Sequence, residues 1–140
     1  MSFIAPPVPI VLDASVVVDL AVGDRADTPA LVERWVADGR LLLVPPIHWP
    51  EVGNSLLRRF DGDALRAGRR VEEIEVIGME VADRGIPGLV AAMSLAARHG
   101  LTVYDATYLW LAIAVGGELA TFDKALARAA EAEDVPLAMS

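Results

Sequence analysis

Four carboxylates carry the chemistry that this sequence offers. Asp13 follows the β-branched and apolar run Ile10–Leu12, and Asp123 follows the short apolar run at 118–121. Both stand directly after strand-like segments, where open α/β sheets place their reactive groups. Asp105 is the only charge in the apolar stretch 104–115, and Glu51 sits early in a helical pattern covering 47–59. Like charges gathered in a mostly apolar domain repel strongly unless something positive neutralises them. Two divalent cations would set +4 against the −4 of the four groups. Oxygen-ligated Mg²⁺ or Mn²⁺ uses such a set to activate water and stabilise phosphoryl oxygens during in-line displacement.

Each residue also has a plainer reading. Aspartate marks turns, which is enough to explain Asp13 taken alone. Thr102-x-x-Asp105 fits a capping box, in which Asp105 serves only a helix start. His48 precedes Glu51 by three positions, but oxygen-rich sites for hard cations rarely recruit imidazole, so a surface hydrogen bond is the expectation there. With no cysteine in the chain, disulfides and thiolate metal sites are excluded.

The elements that must position these groups alternate between strand and helix. Ile10–Leu12 reads as a strand, with Ser15 as N-cap of a helix through 16–20. Thr28-Pro29 opens a second helix that runs to about Asp38, with Thr28 as its N-cap. The run 41–44, bounded by Pro45-Pro46, is a strand. The helix at 47–59 tolerates Pro50 in its first turn and presents Glu51, Asn54, Ser55 and Arg58 on one stripe. Val71, Ile74, Ile77 and Val81 keep helical spacing towards a stop near Gly85. Helices follow at 87–99, with Gly100 at its end, and at 104–115, stopped by Gly116-Gly117. A strand at 118–121, a helix at Lys124–Ala132 and an edge strand at 135–138 complete the pattern. Trp35, Trp49 and Trp110 read as packing residues.

The 140 residues suit one domain, 1–140, with one core. A formal charge of −8 argues against a protein that coats nucleic acid by charge alone. Locally, Arg58, Arg59, Arg66, Arg69 and Arg70 face only Asp61 and Asp63, and this is the one segment to which a phosphate backbone would be drawn. The competing reading is a solvated helix junction whose arginines pair with Glu72, Glu73 and Glu75. A hydrophobic fraction of 54% points to apolar surface that meets another subunit or partner. The opening MSFIAPPVPIVLD is neither a secretory leader nor a membrane span, so a cytoplasmic protein is expected.

Four pieces carry a resemblance: VLDASVVVDL with Asp13 and Ser15, WPEVGNSLLRR with Glu51, HGLTVYDATYLWLA with Asp105, and ELATFDKALARAA with Thr121 and Asp123. In this order and at these separations the chain, over nearly its whole length, resembles the PIN domain family in its small VapC-like toxin form. The resemblance implies a three-layer α/β/α fold around a parallel sheet of four to five short strands. It implies a metal-dependent endoribonuclease, the toxin of a toxin–antitoxin module, that hydrolyses RNA with metal-activated water and leaves a 3′-hydroxyl and a 5′-phosphate. Asp13, Glu51, Asp105 and Asp123 would hold Mg²⁺ or Mn²⁺, with the Ser15 and Thr121 hydroxyls around them, and Arg58 or Arg59 would position RNA. A homodimer and a cognate antitoxin are implied as partners. Such proteins often carry a clear strand between the fourth and fifth helices, where only Gly85-Ile86-Pro87 remains here. The alternatives are a catalytically silent α/β module that only binds a partner, and a phospho-receiver or phosphatase-like domain. The latter needs a nucleophilic Asp after a central strand, and the second strand ends in Pro45-Pro46 instead.

Overall fold

The computed structural model describes residues 6–139. Residues 1–5, part of the stretch expected to be neither leader nor span, and Ser140 lie outside the described residues. In chain order the elements are β1 (Ile10–Leu12), α1 (Ala14–Val22), α2 (Thr28–Ala37), β2 (Leu42–Val44), α3 (His48–Arg59), α4 (Ala64–Glu75), β3 (Glu80–Val81), α5 (Gly85–His99), α6 (Val103–Val115), β4 (Glu118–Ala120) and α7 (Lys124–Ala132). Every strand pairing is parallel, and the order across the sheet is β3-β2-β1-β4. β1 and β2 are buried along their whole length, as strands must be when helices cover both faces of a parallel sheet. On those faces α1, α3 and α4 pack together, α5 pairs with α6, and α6 lies against β1, β4 and α7. The result is a three-layer α/β/α fold around a four-stranded parallel sheet.

The strand order positions the site. From β1 the chain builds β2 and β3 to one side and then returns through α5 and α6 to place β4 on the other side of β1. Ligands of open α/β sheets sit at such a reversal, outside the carboxyl ends of the strands. α6 makes the return by burying Ala106, Tyr108, Leu109, Leu111 and Ala112, and it stops at Gly116, whose φ of 62° is left-handed. Gly117 lets the chain pass close to β1: a Cβ there would stand 2.7 Å from the Pro9 carbonyl oxygen.

Several expectations are corrected. The helical spacing through Val81 does not hold: α4 ends at Glu75, Gly78 takes a φ of 87°, and Glu80–Val81 form β3. β3 pairs with β2 as Leu43 to Glu80 and Val44 to Val81, so the edge strand exists but precedes Gly85-Ile86-Pro87, which open α5. The arginine-rich segment, by contrast, is a helix junction as its competing reading had it: α4 begins after Asp63, whose carboxylate accepts from the Arg66 N–H at 3.2 Å. Asp13, not Ser15, holds the N-cap position of α1, and Asp27, not Thr28, that of α2. The edge strand expected at 135–138 is reduced to a single bridge between Leu119 and Leu137.

Candidate active site

Asp13 owes its place to β1. Its backbone N–H donates to the Ala120 carbonyl at 2.9 Å, which continues the register that sets Leu12 beside Ala120. The residues after β4 therefore lie beside Asp13. Thr121 Oγ1 donates to Asp13 Oδ2 at 2.8 Å, and Ser15 Oγ donates to the same oxygen at 2.7 Å. Having spent their only protons on Asp13, both hydroxyls act as acceptors towards the next loop. The Phe122 N–H donates to Ser15 Oγ, and the Asp123 N–H donates to Thr121 Oγ1, each at 3.0 Å. Asp123 then caps α7, its Oδ1 accepting from the Leu126 N–H at 3.0 Å. One network thus fixes the carboxylate after β1 to the loop after β4.

Glu51 comes from the first turn of α3 and Asp105 from the first turn of α6. Thr102 does cap α6, accepting from the Asp105 N–H at 3.1 Å, so the capping reading holds for the backbone at this position. The Asp105 side chain nevertheless lines the same cleft as Asp13, Glu51 and Asp123, a space of about 660 Å³. The structure brings the four carboxylates to one cleft, yet no three acidic or imidazole side chains among the described residues converge as a ready-made ligand set.

The electrostatics follow from burial first and mutual charge second. Burial pushes the Asp13 carboxyl up against the pull of Ser15, Thr121 and the Ala14 backbone, and nearby Asp123 adds to the rise. Burial also raises Asp105, helped by Asp13 and Asp123. Glu51 is raised by burial, lowered by the Tyr108 hydroxyl beside it, and raised again by Asp13 and Asp105. Glu51 Oε1 is buried with no hydrogen-bond partner among the described residues, an arrangement that costs free energy unless a proton or a cation meets it.

Sequence reasoning missed Asp19. It is buried, lines the cleft, and leaves Oδ2 without a partner among the described residues. Its signal was helical spacing, since Asp19 follows Ser15 by four residues and shares its face of α1. Arg25, Asp24 and Ser55 also line the cleft, and the Arg25 guanidinium lies 4.0 Å over the Phe122 ring. Six acidic and two basic side chains give the lining a formal charge of −4. The two arginines expected to meet RNA part company: Arg59 reaches this cleft but is paired with Asp24, while Arg58 lines a neighbouring groove. Of the glutamates expected to pair with the arginine-rich segment, Glu73 does so, with Arg70 at 3.1 Å. His48 is fully buried rather than at the surface, and its Nδ1 lies 3.2 Å from the Tyr108 hydroxyl.

Fold and cleft define a class: a parallel α/β domain that gathers carboxylates outside the carboxyl ends of two adjacent strands, at the point where strand order reverses. The PIN domain family matches residues 10–132, and this chain belongs to that family. Ribonuclease VapC3 of Pyrobaculum aerophilum is 34% identical over 122 residues, an alignment covering 84% of this chain and 92% of that one. The crystal structure of PAE2754 from Pyrobaculum aerophilum superposes with a TM-score of 0.68 at 25% identity, covering 87% of this chain and 79% of the other. VapBC2 from Rickettsia felis, bound to a DNA fragment from its promoter, gives 0.70 at 14% identity over 91% and 96% of the two chains. A toxin–antitoxin complex from Klebsiella pneumoniae gives 0.61 at 18% identity over 81% and 86%. The last two speak for the fold alone.

Proposed function

We propose that this protein is a metal-dependent endoribonuclease and the toxin of a toxin–antitoxin module. The observation that carries the reading is the acidic cleft, in which Asp13 is clamped by two hydroxyls and faces a formal excess of negative charge. RNA is a polyanion and does not enter such a cleft unless cations offset it. The donor set fits Mg²⁺ or Mn²⁺: it is all oxygen, three of its carboxyls are raised by burial, and Glu51 Oε1 is an orphan acceptor. Asp13, Glu51, Asp105 and Asp123 would hold the ion. When bound, it lowers the pKa of a coordinated water and neutralises charge on the phosphate oxygens.

The chain's own residues supply the positioning. Ser15 and Thr121 keep Asp13 in one orientation and lock the loop that carries Asp123. Arg25 and Arg59 place positive charge in the same cleft, where a phosphate flanking the scissile bond would pass. The ribonuclease relative supports RNA as substrate. An antitoxin protein is the proposed partner, as in the toxin–antitoxin complex that shares this fold. A homodimer would use α5, where Ile86, Leu89, Val90 and Met93 are exposed along helical spacing. No single helix among the described residues is long and apolar enough to cross a membrane.

The test is purified protein with end-labelled RNA, in Mg²⁺ or Mn²⁺ and then in chelator. Cleavage should require the ion, and Asp105→Asn should abolish it while circular dichroism stays unchanged. Normal cleavage by Asp105→Asn would return that residue to a capping role. No cleavage with either ion would favour the silent binding module.

A further inference from the structure

We infer that the groove beside the acidic cleft is a nucleobase subsite, in which Tyr104 stacks on one unpaired base of the RNA, Asn54 bonds its edge, and Arg58 holds the adjoining phosphate. The inference rests on the ribonuclease reading and deepens it.

The groove has a volume of about 330 Å³, and Glu51, Asn54, Ser55, Arg58 and Tyr104 are among the residues that line it. Glu51 and Ser55 also line the acidic cleft, so the two spaces share a wall, and a strand of RNA lying in one continues into the other. Tyr104 immediately precedes Asp105 in the first turn of α6 and is 59% exposed. A large aromatic ring left in solvent, one residue from a carboxylate of the cleft, is not explained by the core. Bases splay out of single-stranded RNA and stack on such rings, because every base has a π-face.

The opposite side of the groove is polar in a specific way. Asn54 and Arg58 are exposed and lie three and seven residues after Glu51, on the stripe of α3 that also carries Ser55. An amide offers both donors and an acceptor, the set needed to read a base edge. Arg58 has no ion-pair partner among the described residues, whereas Arg40, Arg59, Arg70 and Arg98 are each paired. It is therefore the cation of this groove and is free to take a phosphate.

The experiment is an abasic scan. Seven-nucleotide RNAs, each lacking one base, are bound to the full chain by fluorescence anisotropy with Ca²⁺ in place of Mg²⁺, and cleaved in parallel with Mg²⁺. For the wild type, one position should be sensitive, losing roughly 5- to 150-fold in affinity when its base is missing. Tyr104→Ala should bind intact RNA as weakly as the wild type binds that abasic RNA, and should lose nothing further on it. Tyr104→Phe, which keeps the ring, should restore wild-type behaviour. Asn54→Ala should reduce discrimination among the four bases at that position, and Arg58→Ala should reduce the salt slope of binding by about 0.7. A flat scan, or equal losses on intact and abasic RNA for Tyr104→Ala, overturns the subsite while leaving the ribonuclease reading in place. A wild type that neither binds nor cleaves any of these RNAs overturns both. Should Tyr104→Ala fail to fold, the wild-type scan together with Asn54→Ala decides.

Discussion

His48 gives the protein an acid sensitivity whose size follows from its surroundings. The imidazole is 0% exposed; Nδ1 is 3.2 Å from the Tyr108 hydroxyl, and Nε2 is buried without a partner among the described residues. Burial lowers its pKa from 6.5 to about 4. A histidine depressed in the folded state contributes stability that is complete above its unfolded value and is lost as pH falls through its folded one. The gap between 6.5 and about 4, at about 1.36 kcal/mol per pKa unit, amounts to about 3 kcal/mol, of which about 2 kcal/mol is gone by pH 5. His48→Gln keeps a group that can bond Tyr108 and removes the titration. Urea unfolding followed by tryptophan fluorescence, in chelator at pH 7 and pH 5, should show the wild type losing about 2 kcal/mol more than the variant.

Other groups respond to acidification with the opposite sign. Asp13, Glu51 and Asp105 are raised, so their charged forms cost stability, and the metal-free protein recovers that cost as pH falls through their raised values towards the ordinary 3.8 and 4.5. Asp24 and Glu133 are held low by Arg59 and by His99 with Arg98, and they act in the other direction at the surface. Both proteins carry all of these groups, which therefore drop out of the difference. Parallel stability profiles for wild type and His48→Gln between pH 7 and pH 5 would refute the buried, neutral imidazole.

Three further expectations concern the site and the partner face. Thr121→Val removes a donor to the buried Asp13 carboxylate and an acceptor for the Asp123 N–H, and should cost about 2–4 kcal/mol in urea unfolding at pH 7; a loss below about 1 kcal/mol would mean the network is idle. Mg²⁺ at about a hundred times its dissociation constant should stabilise the wild type by about 2.7 kcal/mol, which raises the melting temperature by roughly 5–12 °C. Glu51→Gln should gain less, and a wild-type melting curve that ignores Mg²⁺ and Mn²⁺ would remove the metal from the reading. Sedimentation at micromolar concentration should show a dimer that Val90→Asp dissociates, because Val90 is 58% exposed on the apolar stripe of α5; a wild-type monomer would leave that stripe to another partner.

What the sequence disclosed were features whose cause is local. The strand-then-carboxylate pattern at Asp13 and Asp123, the apolar run of α6 and its glycine stop all act within a few residues, and each stands where spacing put it. β3 is the opposite case. It is two residues long and exposed on both, and its segment carries apolar residues at helical spacing. What makes it a strand is a backbone partner 37 residues away in β2: Val44 aligns with Val81, and the Ala82 N–H donates to the Val44 carbonyl at 2.8 Å. Local propensity cannot register that pairing. His48 was misplaced for a related reason, since its burial is decided by Tyr108, 60 residues on, and not by its neighbours in α3.

That the acidic groups share one cleft is also a matter of strand order, which no local pattern contains. Had β4 been added beyond β3 at the far edge, Asp13 and Asp123 would each still follow a strand and each still precede a helix. They would then stand three strand spacings apart, at about 4.8 Å each, out of reach of one ion. Because β4 lies directly beside β1, Thr121 falls next to Asp13, and its single hydroxyl proton can go to the carboxylate after one strand while its oxygen accepts from the loop after the other. The hydroxyl network is therefore a consequence of the topology and reinforces it. The burial that raises the Asp13 carboxyl is imposed by the same packing of β1 between β2 and β4. A fold that places its central strand there obliges the residue after that strand to be either satisfied by donors or met by a cation, and Ser15 and Thr121 supply donors to only one of its two oxygens.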